Sequence, residues 1–281
     1  MLYLKGERHT GTNFLQSLLL HYFRERTTRI MHYHFYEGCN ASRQPNVNGM
    51  DDLYFCCSKH GTPHPGCSYM PPAVYVLLLR DPYSWLSANY FMPYGGCQDE
   101  TRYSTRRSFA ENRGNFSLWL RRPAATYGAC RPWRLRPTPM AVWVELARAY
   151  HQVRKWAPSV LLRNDEVLNE EVLLNVKLPQ IEVLLQGMRS GSSGSGNDNS
   201  TTAAAPAGAT PRRFVLPQTL PPVRARQKQW TPASYRKEVR KLHAKPWRRM
   251  FTADDLAFVN AQLPVEAMRG FVREHESRGP R

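Results

Sequence analysis

Residues 4–23, LKGERHTGTNFLQSLLLHYF, decide how the chain folds. A short apolar strand, Leu2 to Lys5, runs into two glycines in a GxxxxG arrangement, Gly6 and Gly11. Beyond them Phe14, Leu15, Leu18, Leu19, Tyr22 and Phe23 recur at helical spacing, so a helix is expected over Thr12 to Arg24. A glycine loop between a strand and a helix points backbone N–H groups at one spot, where the helix dipole also favours negative charge. A nucleoside triphosphatase would follow the second glycine with Lys and then Ser or Thr, to reach the terminal phosphates and hold magnesium. Here those places are Thr12 and Asn13, so ATP or GTP hydrolysis is disfavoured and the loop is expected to hold a different anion. Taken alone, the two glycines are equally compatible with a simple turn.

Working outward, Ala73 to Leu79 (AVYVLLL) is a continuous apolar run, as expected for a strand buried on both faces of a parallel sheet. Asp81 and Pro82 then suit the cap and first turn of a helix over Tyr83 to Phe91. Weaker strand signals lie at Arg29 to Tyr36 and Leu53 to Ser58. A helix is expected over Met140 to Trp156, a strand over Val160 to Arg163, and two short helices over Thr252 to Leu263 and Pro264 to His275. The length of 281 residues suits one α/β domain spanning residues 1–281, with a central parallel sheet of four or five strands flanked by helices. Two decorations interrupt it. Residues 99–137 read as an irregular basic insertion, with nine arginines between Arg102 and Arg136, and residues 190–211 as a disordered loop of low complexity.

With 39 Lys plus Arg against 22 Asp plus Glu, the net charge is +17, which favours an anionic partner without saying which. Twelve basic residues against one acid, Glu238, fall between Arg212 and Arg249. No apolar run approaches the ~20 residues that cross a bilayer, and the N-terminus has neither the basic region nor the cleavage site of a signal peptide. A soluble chain is expected, cytoplasmic by that reading, or in the Golgi lumen if an anchor precedes the sequence. The six cysteines (Cys39, Cys56, Cys57, Cys67, Cys97, Cys130) show no framework and read as free thiols, and the glycosylation triplets at Asn40, Asn115 and Asn199 carry little weight.

Arg80 stands at the carboxyl end of the most apolar strand, where ligands sit in open α/β sheets. A guanidinium at such a place needs an anionic partner, whether a ligand or a structural carboxylate. Together the two motifs resemble a known family. GERHTGTNFL looks like the 5′-phosphosulfate loop of sulfotransferases that use 3′-phosphoadenosine 5′-phosphosulfate (PAPS), and LLLRDPYSWLSANY looks like their 3′-phosphate motif. LRNDEVL, from Leu162, is similar to a later stretch of the same family. The resemblance covers residues 2 to about 170, with about 70 residues between the loop and Arg80.

That resemblance implies a P-loop-like sulfotransferase domain that moves a sulfuryl group from PAPS, its co-substrate, to an acceptor hydroxyl. It implies that Arg8, His9, Thr10, Gly11, Thr12 and Asn13 hold the 5′-phosphosulfate, and that Arg80 with a serine on the next helix holds the 3′-phosphate. The family's serine position is occupied by Ala88. Ser84, Ser87 and Ala88 share one helical face, and Ser87 is the chosen substitute. Where many members carry a lysine or arginine on the loop this chain has His9, so the bridging-oxygen role falls to Arg8 or to protonated His9, with Arg8 preferred because its charge does not depend on pH. Lys59 and His60 resemble the family's lysine and histidine in this interval, which makes His60 the general base and Lys59 an aid to the leaving group. No metal is required, because positioning and electrostatics carry such transfers.

Cys57, His60, His64 and Cys67 have a competing reading as a tetrahedral zinc set. The expected partners are the anionic donor and a hydroxyl acceptor, more readily a glycan than a small phenol given the basic flanks, on which Trp119, Trp133, Trp230 or Trp247 would stack. Nucleic acid is not expected. A catalytically inactive relative that binds polyanions and a P-loop kinase are the alternatives.

Overall fold

The computed structural model describes residues 2–6, 11–23, 30–31, 74–91, 114–125, 135–190, 231–268 and 271. Within them the chain is an α/β fold on a parallel sheet. Its strands are β1 (Leu2–Gly6), β2 (Ile30–Met31), β3 (Val74–Leu79) and β6 (Ser159–Arg163), in the order β2-β1-β3-β6. Three of these carry the sheet, and β2 contributes only a two-residue pairing against Leu2 and Tyr3. The described sheet is thus smaller than the four or five full strands expected from sequence. The expected strand at Leu53 to Ser58 lies outside the described residues.

Side-chain alternation along the strands divides the core in two. Leu2, Leu4, Val74, Val76, Leu78, Val160 and Leu162 point to one face. There they meet α1 (Thr12–Tyr22), through Phe14, Leu15, Leu18 and Leu19, and the helical stretch that follows β6. Tyr3, Tyr75, Leu77 and Leu79 point to the other face. They meet α2 (Pro82–Phe91), α3 (Phe116–Leu120) and α4 (Pro139–Val153). With both faces covered, β3 is buried along its full length, which is why its sequence is uniformly apolar.

The structure adds elements that the sequence reading lacked. Part of the basic insertion folds: α3 and the antiparallel pair β4 (Ala124–Ala125) with β5 (Leu135–Arg136) pack onto the core. Asn115, one of the glycosylation triplets, caps α3 by accepting from the Leu118 N–H at 3.1 Å. After β6 come α5 (Asn164–Val167), α6 (Glu170–Val172), a π-helical turn (Leu173–Lys177) and α7 (Leu178–Ser190). Next among the described residues are α8 (Pro232–Ala244), a 3₁₀ turn (Pro246–Met250) and α9 (Ala253–Gln262). The helix expected from Pro264 begins instead as a turn: the Ala267 N–H bonds to the Pro264 carbonyl at 3.1 Å and Met268 folds back into the core. Among the described residues no helix is long and apolar enough to cross a membrane.

Candidate functional site at the carboxyl edge of the sheet

The glycine loop and Arg80 sit at the same end of neighbouring strands. The register pairs Gly6 of β1 with Leu78 of β3, two residues before Arg80. With strands about 4.8 Å apart and a rise of about 3.3 Å per residue, the Gly6 and Arg80 backbones stand roughly 8 Å from one another. Gly11 opens α1 with φ 90° and ψ 18°, a left-handed conformation that side chains with a Cβ resist, although a Cβ here would meet nothing within 4 Å. The glycine therefore serves the backbone turn and not a steric gap. At the start of α1, Thr12 is buried and Asn13 exposed.

Arg80 is held from several directions. Its Nε donates to Ser84 Oγ at 3.0 Å, and its carbonyl accepts from the Trp143 indole at 2.9 Å. Ser84 is fixed in turn, because its N–H donates to the Asp81 carboxylate at 2.9 Å and its hydroxyl to the Asp81 carbonyl at 3.2 Å. Burial lowers the pKa of Arg80, while Asp81 and Glu238 act to raise it; a guanidinium so placed stays charged in any case. The serine beside the guanidinium is Ser84. Ser87, the sequence choice for that role, directs its hydroxyl to Met250 Sδ at 3.0 Å. Both serines are buried, and Ala88 is partly exposed on the same helix.

Two residues that the sequence reading did not select belong to this edge. Lys5, level with Leu77 and one residue before the end of β1, is only 2% exposed. Burial pulls its ammonium down to about 7. Its signal in the sequence was an ionisable residue in the penultimate position of a strand otherwise fully buried. Gln16, one turn into α1, is wholly buried and neither of its amide atoms has a hydrogen-bond partner among the described residues. Helical side chains lean toward the N-terminus, so this amide leans toward the loop.

At the tip of β6, Arg163 pairs with Asp165 at 3.3 Å and Glu166 at 3.5 Å, and Lys177 pairs with Glu166 at 3.1 Å. The Arg163 N–H also donates to Glu166 at 2.8 Å. LRNDEVL is therefore held by an ion-pair network that fixes the turn into α5. Trp119 and Trp247, considered for ring stacking on a ligand, are instead core residues: Trp119 packs against Tyr90 and Phe116, and Trp247 against Tyr83. Arg8, His9, Thr10, Lys59, His60, His64, Trp133, Trp230 and all six cysteines lie outside the described residues. No group of three or more potential metal ligands occurs among the described residues, and the Cys57, His60, His64, Cys67 set is not among them.

No family model matches the chain, and no curated protein or solved structure matches it.

Proposed function

We propose that the chain is a PAPS-dependent sulfotransferase of the P-loop-like class, acting on an acceptor hydroxyl, most readily on a carbohydrate. The observation that carries this reading is the register of β1 against β3. It brings Gly6, at the start of the glycine motif, close to the serine-bonded Arg80 at the end of the adjacent strand. Two anion-binding groups so spaced suit the two ends of one bisphosphorylated nucleotide. The loop residues Arg8 to Asn13 would take the phosphosulfate, and Lys5, on the Tyr3 and Leu77 face of the sheet opposite α1, would add an ammonium from that side. Arg80 with Ser84 would take the 3′-phosphate, a role in which Ser84 displaces Ser87.

In the transfer, the acceptor oxygen forms a bond to sulfur while the bond from sulfur to the 5′-phosphate oxygen breaks. The electron pair leaves with the phosphate, and the acceptor proton passes to His60 as base, with Lys59 and Arg8 offsetting the charge of the leaving group. The reading calls for no metal, because fixed cations supply that electrostatic role. A second reading, a non-catalytic polyanion binder, is favoured by Ala88 at the family's serine position.

Calorimetry with adenosine 3′,5′-bisphosphate in the presence of a chelator tests the first step. Micromolar binding is expected, with at least a 100-fold loss in Arg80→Ala, since such a change removes a charge-assisted bidentate contact of about 3 kcal/mol. Binding that needs magnesium would point to a kinase. Tight bisphosphate binding without transfer of labelled sulfate to any glycan or phenol would leave the non-catalytic reading.

A further inference from the structure

The segment from Thr231 to Phe251 crosses the carboxyl edge of the sheet from one face to the other. Its first half, α8, lies on the α1 side: the Tyr235 ring packs on Phe14 with centroids 5.3 Å apart, and its hydroxyl donates to the Val167 carbonyl at 3.2 Å. Its second half lies on the α2 side, where Trp247 stacks on Tyr83 at 5.5 Å and Met250 meets Ser87. Lys245 turns the chain between the two halves. At φ 42° it is the one non-glycine residue with a positive φ among those described. Tyr83 and Ser87 flank Ser84 on α2, so this strap runs beside the proposed nucleotide site.

The outer surface of the strap carries Arg236, Lys237, Arg240, Lys241, Arg248 and Arg249, all exposed. Glu238 is the single acid in the segment and pairs with Lys241 at 2.8 Å, which leaves the surface strongly positive. On α8 the arginines at 236 and 240 and the lysines at 237 and 241 form two rows with about 6 Å between successive charges. We propose that this strap is the acceptor platform and that the acceptor is an anionic polysaccharide, with carboxylate or sulfate groups recurring along its backbone. The claim of acceptor rests on the sulfotransferase reading; the claim of polysaccharide binding does not.

One observation favours a polysaccharide over a nucleic acid. Single-stranded nucleic acid is gripped by open aromatic faces between the cations, each worth about 1–3 kcal/mol. The strap offers no open Phe, Tyr or Trp face, and only His243 is an exposed ring: Tyr235 and Trp247 are buried and Phe251 packs into the α2 side of the core. What remains is a row of exposed point charges, suited to repeated anions on a chain without bases.

The test compares a hyaluronan octasaccharide with a neutral chitin oligosaccharide, in the full chain and in the variant Arg236→Gln, Lys237→Gln, Arg240→Gln, Lys241→Gln. Hyaluronan should bind the wild type, weakening steeply as salt rises, and the variant should bind it at least tenfold more weakly. The neutral chitin oligosaccharide should show no such difference between the two proteins. Equal affinity of wild type and variant for hyaluronan, or no salt dependence in the wild type, would overturn the proposal without reference to any folding defect. So would tighter binding of a single-stranded oligodeoxynucleotide than of hyaluronan at the same salt. Retained hyaluronan binding with no affinity for the bisphosphate would uphold the polysaccharide site and sink the transferase reading alone.

Discussion

Lys5 is an ammonium held where water is nearly absent, and that has a measurable sign. In the unfolded chain it titrates near the usual lysine value of about 10.4, whereas in the fold burial brings it to about 7. Between about pH 7 and pH 10 the unfolded chain therefore binds a proton that the folded chain does not, and stability rises with pH across that window. Below about pH 7 both states are protonated and the full penalty, of order 5 kcal/mol, is present. Lys5→Met should raise stability near neutral pH by about 2–4 kcal/mol and flatten the rise toward alkaline pH, as read by denaturant titration. A bound phosphosulfate or phosphate would restore the charge. Binding of adenosine 3′,5′-bisphosphate near pH 8 should then take up a proton in the wild type and not in Lys5→Met, as calorimetry in buffers of different ionisation heat would show. Equal proton uptake in both proteins would remove Lys5 from the nucleotide site.

Asp255 ties α3 to α9 through a carboxylate whose side chain is almost wholly buried. Burial by itself would raise its pKa. Hydrogen bonds from Ser117 and Arg121, both at 2.6 Å, and from the Thr252 N–H at 3.2 Å outweigh that effect and lower it. The sign follows: the contribution to stability is complete above the ordinary carboxylate range, about pH 4, and fades as pH falls through the depressed value. Because Arg121 is partly exposed, Asp255→Ala should cost about 2–3 kcal/mol, mostly from the stranded Ser117 hydroxyl and the lost cap of α9. Thermal unfolding at neutral pH measures it, and the gap between wild type and variant should narrow toward about pH 3. The elements that could be read in the sequence are those whose pattern matches one period. β1, β3 and β6 are apolar runs, α1 and α4 repeat at helical spacing, and α2 is marked by Asp81 and Pro82 at its start. The helix from Glu170 to Ser190 escaped because Pro179 reads as a break in it, although Leu174, Leu178, Ile181 and Leu185 recur at spacings of four, three and four. α8 escaped because its core contacts are few, Tyr235 and Val239 among cations, so composition hid the helix.

For the molecule as a whole, the proposed nucleotide would touch parts belonging to both halves of the core. The α1 terminus belongs to one half, while Ser84 belongs to α2, buried in the other, with Arg80 at the tip of the strand that both halves share. The position of Arg80 at the carboxyl end of β3 was legible because the apolar run stops at Leu79. The choice between Ser84 and Ser87 was not, because both lie on one helical face and only packing against Met250 separates them. A ligand that bridges two halves stabilises the folded state against unfolding of either. At a hundredfold excess over its dissociation constant the bisphosphate should add about 2.7 kcal/mol. For a chain of this size that is a rise in melting temperature of about 5–10 °C. The shift should persist in chelator, because fixed cations take the role of magnesium, and it should vanish in Arg80→Ala at the same ligand concentration. A shift that disappears on chelation, or that survives the loss of Arg80, would mean that the nucleotide is not held across these two strand ends.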